Sequence, residues 1–102
     1  MAIINTGLTT TAANIYAAAT NSAIVTIHLC NYTESTQTVN VYVVPAGTIA
    51  NTTNMIYSSL QIAPTNTYIV NSEKFILSTG DSIRANCANA SAVSATVSYI
   101  GI

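Results

Sequence analysis

The only histidine of the chain, His28, stands two residues before Cys30, one of its two cysteines. Such a pair could supply the nucleophile and the base of a covalent hydrolase, provided that the reacting atoms lie about 2.6–3.2 Å apart and a third group orients the histidine. In an extended strand, residues two apart share a face at a spacing of about 6.5–7 Å. No carboxylate lies near this pair in the sequence. We therefore predict that neither residue is catalytic.

The stretch from Ser22 to Asn31, "SAIVTIHLCN", is instead interpreted as a structural strand. Alternation in a strand gives each face every second residue. It predicts one face made of Ile24, Thr26, His28 and Cys30, and an opposite, apolar face made of Ala23, Val25, Ile27 and Leu29. Cys30 is then a small half-buried or buried side chain, which is the usual role of a lone cysteine.

A metal site would require His28, Cys30 and Cys87 to converge with a fourth ligand. The sequence has none of the short cysteine or histidine spacings that are typical of zinc sites. We predict no metal and no cofactor. A Cys30–Cys87 disulfide is disfavoured, because the sequence shows no secretory signal and thiols made in a cytoplasm stay reduced.

Charged side chains are rare, with two basic and three acidic residues in 102. Glycosidase chemistry needs a pair of carboxylates across a cleft, and the turn Asn71-Ser72-Glu73-Lys74 offers only an adjacent ion pair. Asp81 follows Gly80 in a predicted turn, where aspartate commonly caps backbone N–H groups. Arg84 is expected to pair with Asp81 or with a neighbouring subunit. We predict structural roles for both.

The low charge also limits the partners. Charged residues make up 5% of the chain, against about a quarter in an ordinary soluble domain. Without a basic patch, we expect neither nucleic-acid binding nor attraction to an anionic membrane. Threonine and asparagine interrupt every apolar run before about 18 residues, so no membrane-spanning helix is predicted. A net charge of −1 gives little repulsion between copies, which favours association.

Short runs of β-branched and aromatic residues, separated by turn signals about every eight to twelve residues, predict an all-β protein. We expect one β-sandwich domain over residues 1–102, jelly-roll-like or Ig-like, with about 7–9 strands. The alanine-rich segment 12–19 is too short for a stable isolated helix. The predicted strands are 3–9, 14–17, 22–31, 37–44, 54–63, 67–70, 75–77, 82–87 and 93–100.

Two features predict contacts between chains or between strands. The run Val39 to Val44 has no charge and no proline, so it should be central or covered, because an exposed edge of that kind pairs with other chains. Both ends of the sequence are apolar, and exposed apolar groups favour burial in a contact. We predict that they contribute to a subunit interface through Ile3, Ile4, Leu8, Ile100 and Ile102.

Four stretches together, "IVTIHLCN", "VNVYVVPAG", "KFILSTGDSIRA" and "SATVSYIGI", resemble the small β-sandwich virion proteins of tailed bacteriophages, especially those of marine and cyanobacterial phages. The resemblance covers nearly the whole chain and consists of turn and strand motifs. It implies a non-enzymatic protein of the virion, made in the host bacterial cytoplasm. Capsid decoration is the first choice of location, and the neck, tail or fibre the second.

The partners that the resemblance implies are copies of the same chain and other virion proteins. An alternative function is the binding of a host-surface glycan or receptor at a phage fibre. In that case some of the six tyrosines should form an aromatic cluster in one exposed groove, on which sugars stack. A third alternative, a small hydrolase that uses His28 or Cys30, is disfavoured by their spacing.

Overall fold

The computed structural model describes residues 2–70 and 75–102. The described chain forms nine β-strands, which confirms the predicted all-β class. The predicted turn 71–74, with Glu73 and Lys74, lies outside the described residues. The alanine-rich segment 12–19 contains a strand. The strands are β1 (Ala2–Gly7), β2 (Ala13–Ala17), β3 (Ser22–Asn31), β4 (Gln37–Val44), β5 (Met55–Ile62), β6 (Thr67–Val70), β7 (Phe75–Leu77), β8 (Ser82–Cys87) and β9 (Val93–Gly101).

These strands form two antiparallel sheets that pack face to face. Sheet A has the order β1-β9-β3-β6. Strand β7 lies on the same side of β3 as β6 and pairs with the other end of β3. Sheet B has the order β2-β8-β4-β5. The strand that was predicted to need covering, β4, is central in sheet B, between β8 and β5.

The pairings are nested along the sequence. The pair β4–β5 is enclosed by β3 with β6 and β7, then by β2–β8, and finally by β1–β9. Except for β4 to β5 and β6 to β7, successive strands alternate between the two sheets. A double-sheet sandwich of eight strands in this arrangement is a jelly roll, when β6 and β7 are counted as one interrupted strand. The Ig-like alternative is therefore wrong.

The core lies between the sheets and is built from the alternate residues that each strand turns inward. Leu29 and Val97 from sheet A and Val39 and Ile83 from sheet B are completely buried. β-Branched residues dominate because they suit a pleated, close-packed surface. The other large core residues are Leu8, Ile15, Tyr16, Ile24, Ile27, Val41, Ile62, Val70, Leu77 and Val93.

A bulge in β3 changes the predicted faces of that strand. Its register with β9 shifts between Ile24 and Thr26, so Val25 is the extra residue. Ile24 consequently points into the core with Ile27 and Leu29. The prediction that Ile24 shares a face with His28 and Cys30 is therefore wrong, because strict alternation fails where one strand contributes two residues opposite one.

Candidate functional site

The strands of sheet A turn a broad face away from the core. Along β9, Ser94, Thr96 and Ser98 alternate with buried residues. The residues that are paired with these positions on the neighbouring strands lie on the same face of the sheet. We call this surface the outer face of sheet A. Its members are Ile3, Asn5, Ala23, Thr26, His28, Cys30, Thr67, Ile69, Ile76, Ser94, Thr96, Ser98 and Ile100.

This outer face combines hydroxyl groups with exposed isoleucines and has no charged member. Ile3 is 66% exposed, Ile76 is 67% exposed and Ile69 is 48% exposed. The charged residues that the structure describes lie elsewhere, since Glu34 and Asp81 are in turns and Arg84 is in sheet B. The face can therefore lose its water without removing an ion from solvent, which is the costly step in burying a charged surface.

His28 lies in the middle of the outer face and is half-buried. Its neighbours across the sheet are Thr96 of β9 and Ile69 of β6. The Thr96 hydroxyl, Oγ1, donates to Asn5 Oδ1 at 2.9 Å and not to the imidazole. Within residues 2–70 and 75–102, no hydrogen bond to the imidazole is formed. Among the described residues, none holds the imidazole by a hydrogen bond of the kind that orients a catalytic base.

The two cysteines belong to different sheets. Cys30 is half-buried on the outer face, opposite Ser94 and Thr67, and Cys87 is buried and points into the core from sheet B. The Cys87 thiol lies 3.7 Å from Gln37 Oε1. Both cysteines are free thiols. Cys87 points toward sheet A from inside the sandwich, whereas Cys30 is on the far side of that sheet. Because sheet A separates the two thiols, the disfavoured disulfide would require a rearranged sheet.

The residues predicted to form a subunit interface separate into two groups. Ile3 and Ile102 are each 66% exposed, and Ile4 and Ile100 are each 40% exposed. Leu8 is only 2% exposed and belongs to the core, so its predicted place in the interface is wrong. Leu8 is buried because the chain leaves β1 there and crosses to sheet B, where the Thr9 carbonyl accepts the Cys87 N–H.

Ile4 has an unusual environment for an exposed side chain. It is on the inward side of sheet A, since its neighbour on β9 is the fully buried Val97. Even so, it is as exposed as Ile100 on the outer face. Strand β1 thus extends the sheet beyond the part of the core that sheet B covers.

Asp81 holds two turns together at one end of the sandwich. Its Oδ1 accepts the Ala46 N–H at 2.9 Å and its Oδ2 accepts the Ser78 N–H at 3.0 Å. The adjacent Gly80 has a φ of +94°, and an added Cβ would lie 3.0 Å from the Ala46 Cβ. Asp81 therefore acts as a backbone cap in this subunit.

Arg84 is not the partner of Asp81. Its Nε donates to the Ser82 hydroxyl at 3.3 Å, and no ion pair joins it to Asp81 within the described part of the chain. The geometry of β8 explains the difference, because Asp81 precedes the strand while Arg84 stands inside it, between β2 and β4. The predicted pairing of Arg84 with Asp81 is therefore wrong.

The tyrosines are used mainly for packing. Tyr16 and Tyr99 have ring centroids 4.5 Å apart, and Tyr57 and Tyr68 meet edge to face at 5.6 Å. Tyr16 is buried, and the other three pack against the core as partly buried residues. Tyr42 is also buried, which leaves Tyr32 as the exposed tyrosine. These positions do not assemble the exposed aromatic groove that a sugar-stacking site needs.

Three or more potential ligands from histidine, cysteine, aspartate and glutamate do not cluster anywhere in residues 2–70 and 75–102. Nor does that part of the chain contain a helix that could span a membrane. No protein-family model, curated protein or solved structure matches the chain.

The position of β1 at an edge of sheet A was not predicted from the sequence. Strand β1 pairs with β9 alone among the described strands. The sequence does indicate a strand that is able to pair, because the six residues Ala2–Gly7 include no charge and no proline. Its position at an edge depends on its pairing with β9, which is at the other end of the sequence.

Proposed function

We propose that this chain is a non-enzymatic structural subunit of a tailed-bacteriophage particle, where it assembles with copies of itself and with other virion proteins. Capsid decoration is the preferred location, and the neck, tail or fibre is the second choice. The observation that carries the proposal is the uncharged outer face of sheet A, with its exposed Ile3, Ile69 and Ile76. Exposed apolar groups gathered on one face mark an interaction surface.

The chemistry of the face suits assembly. The hydroxyl groups of Thr26, Ser94 and Ser98 lie on the central strands β3 and β9, between the isoleucines of the edge strands. Such groups supply hydrogen bonds in an interface. The jelly roll is also a scaffold that viral capsid domains use. The fold by itself does not determine a function, so this agreement supports the proposal together with the motifs that resemble phage virion proteins.

Binding of a host-surface glycan is less well supported. Lectin domains also use the jelly roll. Here, however, four tyrosines pack in or against the core, Tyr42 is buried, and Tyr32 alone among the six is exposed. An enzymatic role is disfavoured by the environment of His28 and Cys30, whose four neighbours across the sheet are Thr96, Ile69, Ser94 and Thr67. Not one of these is a carboxylate that could orient the imidazole.

The test places a charge in the outer face and measures incorporation into particles. Ile69→Lys puts an ammonium group beside His28, and Thr52→Lys puts the same group on the exposed loop between β4 and β5 as a control. We expect both proteins to fold, with similar urea midpoints. Particles assembled with the Ile69→Lys protein should lose most of their copies of this chain, counted by quantitative mass spectrometry, while Thr52→Lys should occupy its sites normally.

Full occupancy by folded Ile69→Lys protein would contradict an assembly role for this face. Absence of the unmodified chain from purified particles would overturn the structural function itself. Specific binding of the free protein to a host polysaccharide, abolished by Tyr32→Ala, would favour the glycan-binding alternative.

A further inference from the structure

We infer that β1 is a pairing edge, and that its partner is β1 of a second copy of this chain, which lies antiparallel to it so that Ile4 faces Ile4 across a two-fold axis. The inference rests on the proposed function, in which the chain works by assembling with copies of itself, and it names the contact. It would join two copies of sheet A into one continuous sheet.

The first argument comes from the other sheet edges. Natural proteins blunt exposed edges with bulges, short strands and charges, because an unprotected edge pairs with any available strand. Edge strand β5 is distorted by two register shifts against β4, and its Ser59 has a φ of 55° with its N–H bonded to Asn40 Oδ1. Edge strand β2 has a register shift between Asn14 and Tyr16.

The edge formed by β6 and β7 is protected because both strands are short. These strands have four and three residues, and the sequence between them contains Glu73 and Lys74. Strand β1 has none of these devices. Its six residues pair with β9 in an unbroken register, and they include no charge and no proline. Among the described strands, β1 is thus the edge that remains competent to pair.

The hydrogen-bond pattern shows which groups β1 offers. Leu8 N–H donates to the Val93 carbonyl at 2.9 Å, which places Leu8 in a hydrogen-bonded pair with β9. Such pairs recur at every second residue of an antiparallel ladder, so Thr6, Ile4 and Ala2 also bond toward β9. The N–H and C=O groups of Ile3, Asn5 and Gly7 consequently point to the open side.

The second argument comes from Ile4 and selects a second copy as the partner. In the proposed pairing, Ile3 and Asn5 of each copy exchange backbone hydrogen bonds with Asn5 and Ile3 of the other. The two Ile4 residues then form a pair without hydrogen bonds, whose Cα atoms lie about 4.5 Å apart. Both side chains are on the inward side of the sheet, so each covers the part of the other that sheet B leaves exposed.

The charge distribution agrees with self-association. No charged residue precedes Glu34 in the sequence, so two copies of β1 can approach without repulsion. A symmetric contact in which one patch meets its own copy is the commonest form of oligomer. Addition of a strand to an open edge is also an established mode of recognition, in which main-chain bonds supply the affinity.

The pairing is tested by sedimentation and by cross-linking. The unmodified protein should sediment as a dimer at micromolar concentration. Ile4→Lys, which sets two like charges face to face, should weaken dimerisation at least about tenfold. The control is Ile56→Lys, the same change at an isoleucine that is 38% exposed on edge strand β5 of sheet B, and it should leave dimerisation unchanged. If Ile4→Lys fails to fold, Asn5→Pro replaces it, because the Asn5 N–H is not used for pairing with β9.

Cross-linking tests the register. In a Cys30→Ser background, oxidation of the Ile4→Cys protein should give a covalent dimer, since Cα atoms about 4.5 Å apart satisfy disulfide geometry. Ile56→Cys in the same background is the control and should stay monomeric, because β5 is the edge of the other sheet. A monomeric unmodified protein, or a dimer that cross-links through Ile56→Cys and not through Ile4→Cys, would overturn the inference.

The outcomes separate this inference from the proposed function. If the chain is a particle component and Ile4→Lys protein fills its sites normally, the edge pairing fails and the function stands. If the protein dimerises through Ile4 but is absent from particles, the function fails and the pairing stands. A third outcome is that the unmodified protein is monomeric in solution and that Ile4→Lys abolishes its attachment to particles. The partner of β1 would then be a strand of another virion protein, and the inference of a second copy would be overturned.

Discussion

The side-chain nitrogen of Asn31 lies 2.9 Å from the carbonyl oxygen of Ile62, which is 31 residues further along the chain. The same nitrogen donates to the carbonyls of Ser35 and Ala63, while Oδ1 accepts from the N–H and the hydroxyl of Thr33. Asn31 is completely buried. One amide thus connects the end of β3 in sheet A to the end of β5 in sheet B.

We predict that Asn31→Leu lowers the free energy of unfolding by about 3 kcal/mol, because the change keeps the volume but leaves buried carbonyls without a donor. Urea denaturation measures the loss. Asn14→Leu, at an exposed position of β2, is the control and should cost less than about 0.5 kcal/mol. Equal costs at the two positions would contradict a structural role for the amide.

Asp81→Ala should lower the free energy of unfolding by about 1–2 kcal/mol, because the N–H groups of Ala46 and Ser78 lose a shared acceptor. Thermal unfolding followed by circular dichroism should show the lower midpoint. Glu34→Ala removes an equal charge from an exposed turn and should leave the midpoint nearly unchanged. An unchanged midpoint for Asp81→Ala combined with lost attachment to host cells would replace the structural role with a binding role.

Tyr16→Phe should cost about 1 kcal/mol of unfolding free energy. The Tyr16 hydroxyl lies 2.6 Å from the Ser22 hydroxyl in a buried position, and Ser22 also donates to the Thr20 carbonyl. Tyr32→Phe removes the same atom from an exposed ring and should be neutral within about 0.5 kcal/mol. Chemical denaturation of both variants gives the comparison, and a neutral Tyr16→Phe would show that the buried hydroxyl pair adds no stability.

The two thiols should react at different rates with an aromatic disulfide reagent. Cys30 is half-buried on the outer face, whereas Cys87 is 3% exposed and part of the core. We expect one equivalent to react in the folded protein, and the second only after unfolding exposes Cys87. The Cys30→Ser variant is the control and should show no fast reaction. Fast modification of two thiols in the folded state would contradict the placement of Cys87.

The strand positions could be predicted from the sequence because the residues that form and end a strand act locally. Proline or glycine closes β4 and β5, and runs of valine and isoleucine fill the strands. The predicted bounds of 22–31, 37–44, 67–70, 75–77 and 82–87 coincide with β3, β4, β6, β7 and β8. The uncharged, valine-rich sequence of β4 predicted that this strand is central or covered, and it is central in sheet B.

Properties that depend on a distant partner could not be predicted. The bulge at Val25 is defined against β9, about seventy residues away in the sequence. Leu8 appeared to be an apolar end residue, but the crossing from one sheet to the other buries it. The pairing of β1 with β9, which leaves β1 at an edge, is likewise a long-range relationship. Composition predicted association, and the edge at which we propose it depends on this long-range topology.

The nested order of the strand pairs has a consequence for how the chain folds. Bringing two segments together costs loop-closure entropy that rises with the length of chain between them. The β4–β5 hairpin closes the shortest loop, and each pair that forms shortens the loop that the next must close. Association of β1 with β9 spans nearly the whole sequence and has no enclosing pair to follow it. The kinetic consequence is that the edge that we assign to a second copy forms last. Until then β9 is the open edge of sheet A, and the proposed pairing of copies must wait until each monomer has closed.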